Sequence, residues 1–316
     1  MSRRAVISDI HGNLVALEAV LADIQTQKVD QIVCLGDICG YGPQPVECIN
    51  RVRETCAWSL RGNHDEALFN DPIDFGKNAL TAIMWQRTIM QPKPGSPADV
   101  VERWNWLKNL PTEHSEKDVL FVHASPRDPL YEYVLREDFD DQGFGPTQKA
   151  KDIFSAMEWL CFCGHSHRPG VVAEDYKWIL PAEIERSYII KRGFKTIVNI
   201  GSVGQPRDGI SDACYVIFDY KPPDHTKTTQ IPKPADAEST LIQTKDSTPT
   251  PPPGNKGTEE DTRYGQELQQ ARDTALLNMP RVTFRRVKYD IAEAQARFRA
   301  VPELPENNGL RLAKGL

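Results

Sequence analysis

Short apolar runs recur along this chain, and the stretches between them carry apolar residues at spacings of three and four. That alternation limits the fold more than any other feature, because strands must pair side by side while amphipathic helices cover the sheet they make. The strand candidates are Ala5–Ser8, Gln31–Leu35, Trp58–Leu60, Val119–Val122, Leu160–Cys163, Thr196–Ile200, Cys214–Phe218 and Val282–Lys288. Between the first two, Leu14, Leu17, Val20, Leu21 and Ile24 predict a helix with one apolar face. The expectation is an α/β layered domain.

The chain has 316 residues, enough by length for two domains. The composition changes after Tyr220, however. From Lys221 to about Thr262 the chain is rich in Pro, Thr, Lys, Asp and Gly and includes the run Thr248–Pro253, so it has too little apolar surface to order itself. Leu268, Ala271, Ala275 and Leu276 give residues 263–278 a helical spacing. Alternation returns at Val282–Tyr289, and we read Cys214–Tyr220 and Arg281–Tyr289 as neighbouring strands with a lengthened connection. Closing a loop of about 60 residues instead of about 4 costs only some 2–3 kcal/mol. The expected organisation is one domain, residues 1–220 with 281–316, interrupted by a largely disordered insertion at 221–280. The Pro-rich run is of the kind that docks on a partner's aromatic groove.

A net charge of -6 argues against a general nucleic-acid binder, which needs Lys and Arg against the phosphate backbone. No apolar stretch is long enough for a membrane span, and the run ending at Asp9 is too short for a signal peptide, so the cytoplasm is the default compartment. The seven cysteines lack zinc-type pairing; Cys34, Cys161 and Cys163 sit in apolar runs as small hydrophobes.

Chemistry enters with the histidines, seven in all. Five of them stand just after strand candidates, beside Gly, Asp or Asn: Asp9-Ile-His11-Gly-Asn13, Gly62-Asn-His64-Asp65, His123-Ala-Ser125 and Gly164-His-Ser-His167, with Gly36-Asp37 adding a carboxylate. In α/β sheets, sites form outside the carboxyl ends of strands. Each block alone is also an ordinary capped turn. Together they would make one dense cluster. Setting His64 aside, the set offers two Asp, one Asn and four His; imidazole with carboxylate or amide oxygen suits Mn, Fe, Zn, Co or Ni. Seven ligands exceed one catalytic ion with an open position but fit two ions sharing a carboxylate, which can hold a bridging hydroxide and clamp phosphoryl oxygens.

In the order, identity and approximate spacing of these blocks, and in Arg61 and Asn199–Arg207, the chain resembles the calcineurin-like metallophosphoesterase superfamily, specifically its small bacterial and archaeal members. The resemblance covers residues 4–220 and resumes at 281–300. It implies a four-layer α/β/β/α sandwich of two mixed sheets. It further implies Asp9, His11, Asp37 and His167 around one metal, and Asp37 as bridge with Asn63, His123 and His165 around the other. Two divalent transition ions, manganese first among them, are implied, as is His64 as the non-ligand acid that protonates the leaving oxygen.

The segment after Gly36-Asp37 reads Ile38-Cys-Gly-Tyr-Gly-Pro43, without the further Asp and Arg of protein-phosphatase relatives. Asp65, adjacent to His64, is expected to point elsewhere. A nucleotide-type or other small phosphoester is therefore the expected substrate, with a phosphoprotein phosphatase as the alternative and a metal-binding scaffold as the rival from another class. Arg61 and Arg207 are candidates for gripping phosphate; Arg127 is expected in an exposed ion pair. Tyr41, Tyr131 and Tyr133 are candidates for lining a base or aryl pocket, with the partly buried core as the favoured expectation, and His114 and His225 are expected in solvent.

Overall fold

The computed structural model of the chain describes residues 2–139, 145–220 and 279–316. The helical spacing at 263–278 and all but the last two residues of the expected insertion lie outside them, as does His225.

Among the described residues, twelve strands form two sheets of six. The first holds β1 (Ser2–Ile7), β2 (Gln31–Cys34), β3 (Cys56–Ser59), β9 (Ser187–Ile189), β11 (Ala213–Tyr220) and β12 (Arg281–Val287), in the order β3-β2-β1-β11-β12-β9. The second holds β4 (Glu113–Glu116), β5 (Val119–Val122), β6 (Leu160–Cys163), β7 (Gly170–Ala173), β8 (Trp178–Ile179) and β10 (Thr196–Asn199), in the order β4-β5-β6-β10-β7-β8. Both are mixed. β1, β2 and β3 run parallel, as do β5, β6 and β10, and the remaining pairings are antiparallel.

Period-two alternation sorts the apolar side chains into layers. On β1, Val6 faces the space between the sheets while Ala5 and Ile7 face helices; on β11, Cys214, Val216 and Phe218 face in while Tyr215 and Ile217 face out. Phe121 and Phe162 of the second sheet meet the first sheet's Phe218 and Phe284 in the inter-sheet core, and Phe121 stacks on Phe162 at 5.2 Å. Helices Leu14–Thr26 and Pro45–Thr55 cover the outer face of the first sheet through Leu17, Val20, Leu21, Ile49 and Val52. Helix Gln148–Ser155 covers the second through Ile153 and Phe154, against Cys161, Cys163 and Ile197. The four layers are those expected. Cys161 and Cys163 are buried packing residues, and burial pushes the Cys161 thiol well up.

The eight strand candidates all form strands, shifted by a few residues at their ends; β4, β7, β8 and β9 were not anticipated. Of these, β4 and β8 are sheet edges only four and two residues long. Such strands bury one face or none, so their sequences carry little apolar signal. His114, expected in solvent, lies half-buried on β4, its ring 4.2 Å from that of Trp58 and its Nε2 on Glu116.

β11 and β12 pair as neighbours, with Asp219 opposite Arg281. That register brings the two ends of the connection side by side, so a two- to four-residue turn can close it. Replacing residues 224–278 with a short Gly-containing turn should leave the thermal midpoint and turnover nearly unchanged. A clear fall in either, by calorimetry or assay, would show that the segment packs on the catalytic domain.

Candidate metal centre

The parallel strands of both sheets end at one edge, and the expected side chains meet there. Asp9 and His11 follow β1, Asp37 follows β2, Asn63 and His64 follow β3, His123 follows β5, and His165 and His167 follow β6. All eight are buried.

The turns that aim them are strained. Asp9, His11, Asp37, His165 and His167 all adopt positive φ, between 51° and 62°. A left-handed residue with a side chain costs about 1–2 kcal/mol, and such outliers persist only where surrounding structure over-determines them. Here the bracing is visible. Asp65 accepts from the amides of Ile38 (3.3 Å), Cys39 (2.9 Å) and Gly62 (3.1 Å), tying the loops after β2 and β3 together. Ser202 Oγ donates to Asp9 O (2.9 Å), and Asn13 caps the first helix while its Nδ2 donates to Gly204 O (2.9 Å). Buried Gln86 holds Gly40 N and Gly42 O, both at 2.8 Å. A lone Gln in a helix gives no signal in sequence.

Imidazole tautomers follow from the same network. His11 Nδ1 faces Cys39 O (3.0 Å), His123 Nδ1 faces Leu35 O (3.1 Å) and His167 Nδ1 faces Gln205 O (2.5 Å). A carbonyl can only accept, so each Nδ1 carries the proton and each Nε2 turns a lone pair inward. Those lone pairs point at other acceptors. His11 Nε2 lies 3.0 Å from His167 Nε2 and 3.5 Å from Asp37 Oδ2; His167 Nε2 lies 3.2 Å from Asp9 Oδ1; His123 Nε2 lies 3.4 Å from Asp37 Oδ2 and 3.1 Å from Asn63 Oδ1. His165 spends Nε2 on Tyr131 O (3.1 Å), leaving Nδ1 free.

These buried atoms and carboxylates need protons or a cation among them. Burial works to lower His123, yet Asp37 beside it holds the ring up at about 9, and a divalent ion can take the place of such protons. The donors therefore fit divalent metal, in the sets Asp9–His11–His167 and Asp37–His123–His165. A third set, His11–Asp37–His64, also lies within reach. Burial works to raise both Asp9 and Asp37, yet His167 beside the first and His123 beside the second hold both carboxyls below the usual range. Burial lowers His64 to about 4, and its Nδ1 is buried without a hydrogen-bond partner. Asp65 does point away from His64, as expected.

Arg207 comes to the cluster. Its guanidinium donates to Tyr41 Oη (3.2 Å) and Gln205 Oε1 (2.8 Å), with no carboxylate in ion-pair reach among the described residues. Arg61 is instead committed to Glu66 at 2.7 Å and to the carbonyl of Lys108. Arg127 sits in the expected exposed pair, with Glu132 and Asp152. One further residue was missed and three tyrosines were misplaced. Arg311, from the C-terminal turn, lies 5.8 Å over the Tyr41 ring. Tyr41, Tyr131 and Tyr133, expected in the core, instead line a cleft of about 470 Å³ whose floor includes Asn63, His64 and His165. Tyrosine suits either place, and nothing in sequence separates a cleft wall from a core wall.

The family model for calcineurin-like phosphoesterases matches residues 2–169. The chain belongs to that family. It is 38% identical over 224 residues to an uncharacterised protein of Methanocaldococcus jannaschii, covering 69% of this chain and 82% of that protein. The structure is similar to a metallophosphoesterase from Sphaerobacter thermophilus, with TM-score 0.65, 31% identity and coverage of 100% and 99% of the two chains. It also shares its fold with a hypothetical protein from Pyrococcus horikoshii, at TM-score 0.60, 18% identity and coverage of 100% and 99%. The chain is thus a metallophosphoesterase, a hydrolase of phosphate ester bonds. Among the described residues no helix is long and apolar enough to cross a membrane.

Glycine is required beside the carboxylates. A Cβ on Gly62 would lie 2.1 Å from Asp37 Oδ1 and 2.4 Å from Asp37 N. Gly62→Ala should therefore displace Asp37, with loss of metal measured by atomic absorption and at least tenfold lower phosphoester hydrolysis, about 1.4 kcal/mol of lost stabilisation or more. Retention of full metal content would show that the loop relaxes without moving the carboxylate.

Proposed function

We propose that the chain hydrolyses a nucleotide-type or other small phosphoester in the cytoplasm, using two divalent transition ions, manganese first and iron, zinc, cobalt or nickel as alternatives. The observation that carries this reading is the pair of buried donor sets joined through Asp37, which faces His11 on one side and His123 on the other. Asp9, His11, Asp37 and His167 would hold one ion; Asp37, Asn63, His123 and His165 would hold the other. When bound, two such ions activate a water for attack on phosphorus and draw charge from the phosphoryl oxygens. The compartment is supported by seven cysteines present as free thiols.

His64 lines the cleft and its ring packs 4.7 Å from His11 and 4.9 Å from Phe75, outside the two ligand sets named above. Its role is to donate a proton to the departing oxygen. Arg207, held by Gln205 and Tyr41, offers its remaining N–H groups to phosphoryl oxygens, for which a planar fork is suited.

Metal analysis tests the centre. The purified protein should take two transition ions per chain, and Asp37→Asn should weaken both because one carboxylate serves two ions. His11→Ala should chiefly affect one. A single ion in fully active protein would overturn the two-metal reading, and two ions in a protein inactive toward every phosphoester would favour a scaffold.

A general acid matters as the leaving group needs a proton, and typically contributes about 10²–10⁴-fold. His64→Ala should therefore slow an alkyl phosphoester by about that factor and a nitrophenyl ester much less, with two ions retained. Equal losses on both would make His64 a stabiliser of phosphoryl charge. Loss of an ion would make it the ligand that its nearness to His11 and Asp37 also allows.

A further inference from the structure

The cleft beside the metal cluster is built asymmetrically. Its floor holds His64, and its walls carry Phe75, Tyr131 and Tyr133, with Tyr133 stacked on the His165 ring at 3.9 Å. Tyr131 and Tyr133 keep 49% and 41% of their surface exposed, so both side chains remain partly open to a ligand. The charged side chains that line the cleft, among the described residues, are the carboxylates Asp71 and Asp74. The positive charges lie elsewhere: Arg207 and Arg311 stand over the Tyr41 ring, at 5.5 and 5.8 Å. The site therefore has a cationic side and an aromatic, acidic side.

Resting on the phosphoesterase reading above, we propose that the aromatic cleft receives the leaving group, and that this group is an uncharged nucleoside or similar hydroxylated ring system. The proton donor lies at the cleft floor, so the oxygen that departs must face it. A flat ring can stack on an exposed aromatic side chain, where stacking is strong and tolerant of ring type. Asp71 and Asp74 can accept hydrogen bonds from ring amines or sugar hydroxyls, whereas they repel a leaving group that is itself a phosphate. The favoured reaction is hydrolysis of a nucleoside monophosphate: water adds to phosphorus, the P–O bond to the sugar breaks, and the sugar oxygen takes a proton to give nucleoside and inorganic phosphate. Phosphoanhydrides, which expel a charged phosphate, are disfavoured.

Steady-state kinetics of the Mn-loaded full chain on AMP, ADP and glycerol 2-phosphate test this, with nitrophenyl phosphate as a reference. Wild type should show kcat/KM for AMP at least about tenfold above those for ADP and glycerol 2-phosphate, the order expected of one stacked ring. Tyr131→Ala and Tyr133→Ala should raise KM for AMP about tenfold and narrow its advantage over glycerol 2-phosphate. Inhibition by adenosine should weaken in parallel, with metal content followed in both variants. The double variant Asp71→Asn with Asp74→Asn should narrow the gap between AMP and ADP. The proposal is overturned if ADP is cleaved as well as AMP, or if the tyrosine variants lower AMP and glycerol 2-phosphate turnover equally while holding their metal. Nitrophenyl phosphate cleaved with no preference among the other substrates would sink the leaving-group assignment and spare the phosphoesterase reading. No hydrolysis of any ester by metal-loaded protein would sink both.

Discussion

The site depends on one close approach between the sheets. The amide of His165, at the end of the second sheet's β6, donates to both oxygens of Asp9, at the end of the first sheet's β1, at 3.2 and 3.1 Å. Gly164 makes this possible, because a Cβ there would lie 2.3 Å from Asp9 Oδ2. A second bridge runs from His123 Nδ1 to Leu35 O. The first sheet supplies Asp9, His11, Asp37 and Asn63, and the second supplies His123, His165 and His167. The sets Asp9–His11–His167 and Asp37–His123–His165 each draw on both sheets, whereas His11–Asp37–His64 lies on the first sheet alone. The first two exist only while the sheets are held in register with their carboxyl ends together.

That register is fixed by the inter-sheet core. Large side chains from both sheets, among them Phe121, Phe162, Phe218 and Phe284, interlock between the layers, and packed interiors of this kind do not slide without opening voids. The core's contribution to catalysis is therefore positional. It holds five left-handed residues and a knot of facing lone pairs in an arrangement that is unfavourable locally and useful only around a cation.

Much of this was legible in the sequence because burial and ligation leave strong marks. β1, β5, β6, β10 and β11 read as apolar runs since they sit inside their sheets. The ligand blocks were legible because they combine residue types that turns alone do not require. What the sequence hid was whatever depends on long-range placement. Asp65 reads as part of a motif, but its work on three backbone amides needs the loop after β2 folded against it. Arg61 and Arg207 look alike as candidates, and only the fold shows Glu66 taking one while the other stays without an acidic partner among the described residues. Arg311 lies 100 residues or more from every motif block, so no local pattern could connect it with Tyr41.

The loop after Gly36-Asp37 shows how a departure from a family pattern is absorbed. Without a carboxylate to orient it, His64 Nδ1 is buried with no hydrogen-bond partner, and a Cβ on Gly40 would lie 2.4 Å from it. The imidazole is thus positioned by contact instead of by a hydrogen bond: the glycine backbone, Tyr41 at 4.7 Å and Phe75 at 4.9 Å enclose the ring. Packing fixes orientation, and burial lowers the group to about 4 against the opposing pull of the Asp37 carboxylate. In the acid role proposed above, the ring would take up its proton as further negative charge arrives beside it, and the substrate's phosphate would bring that charge.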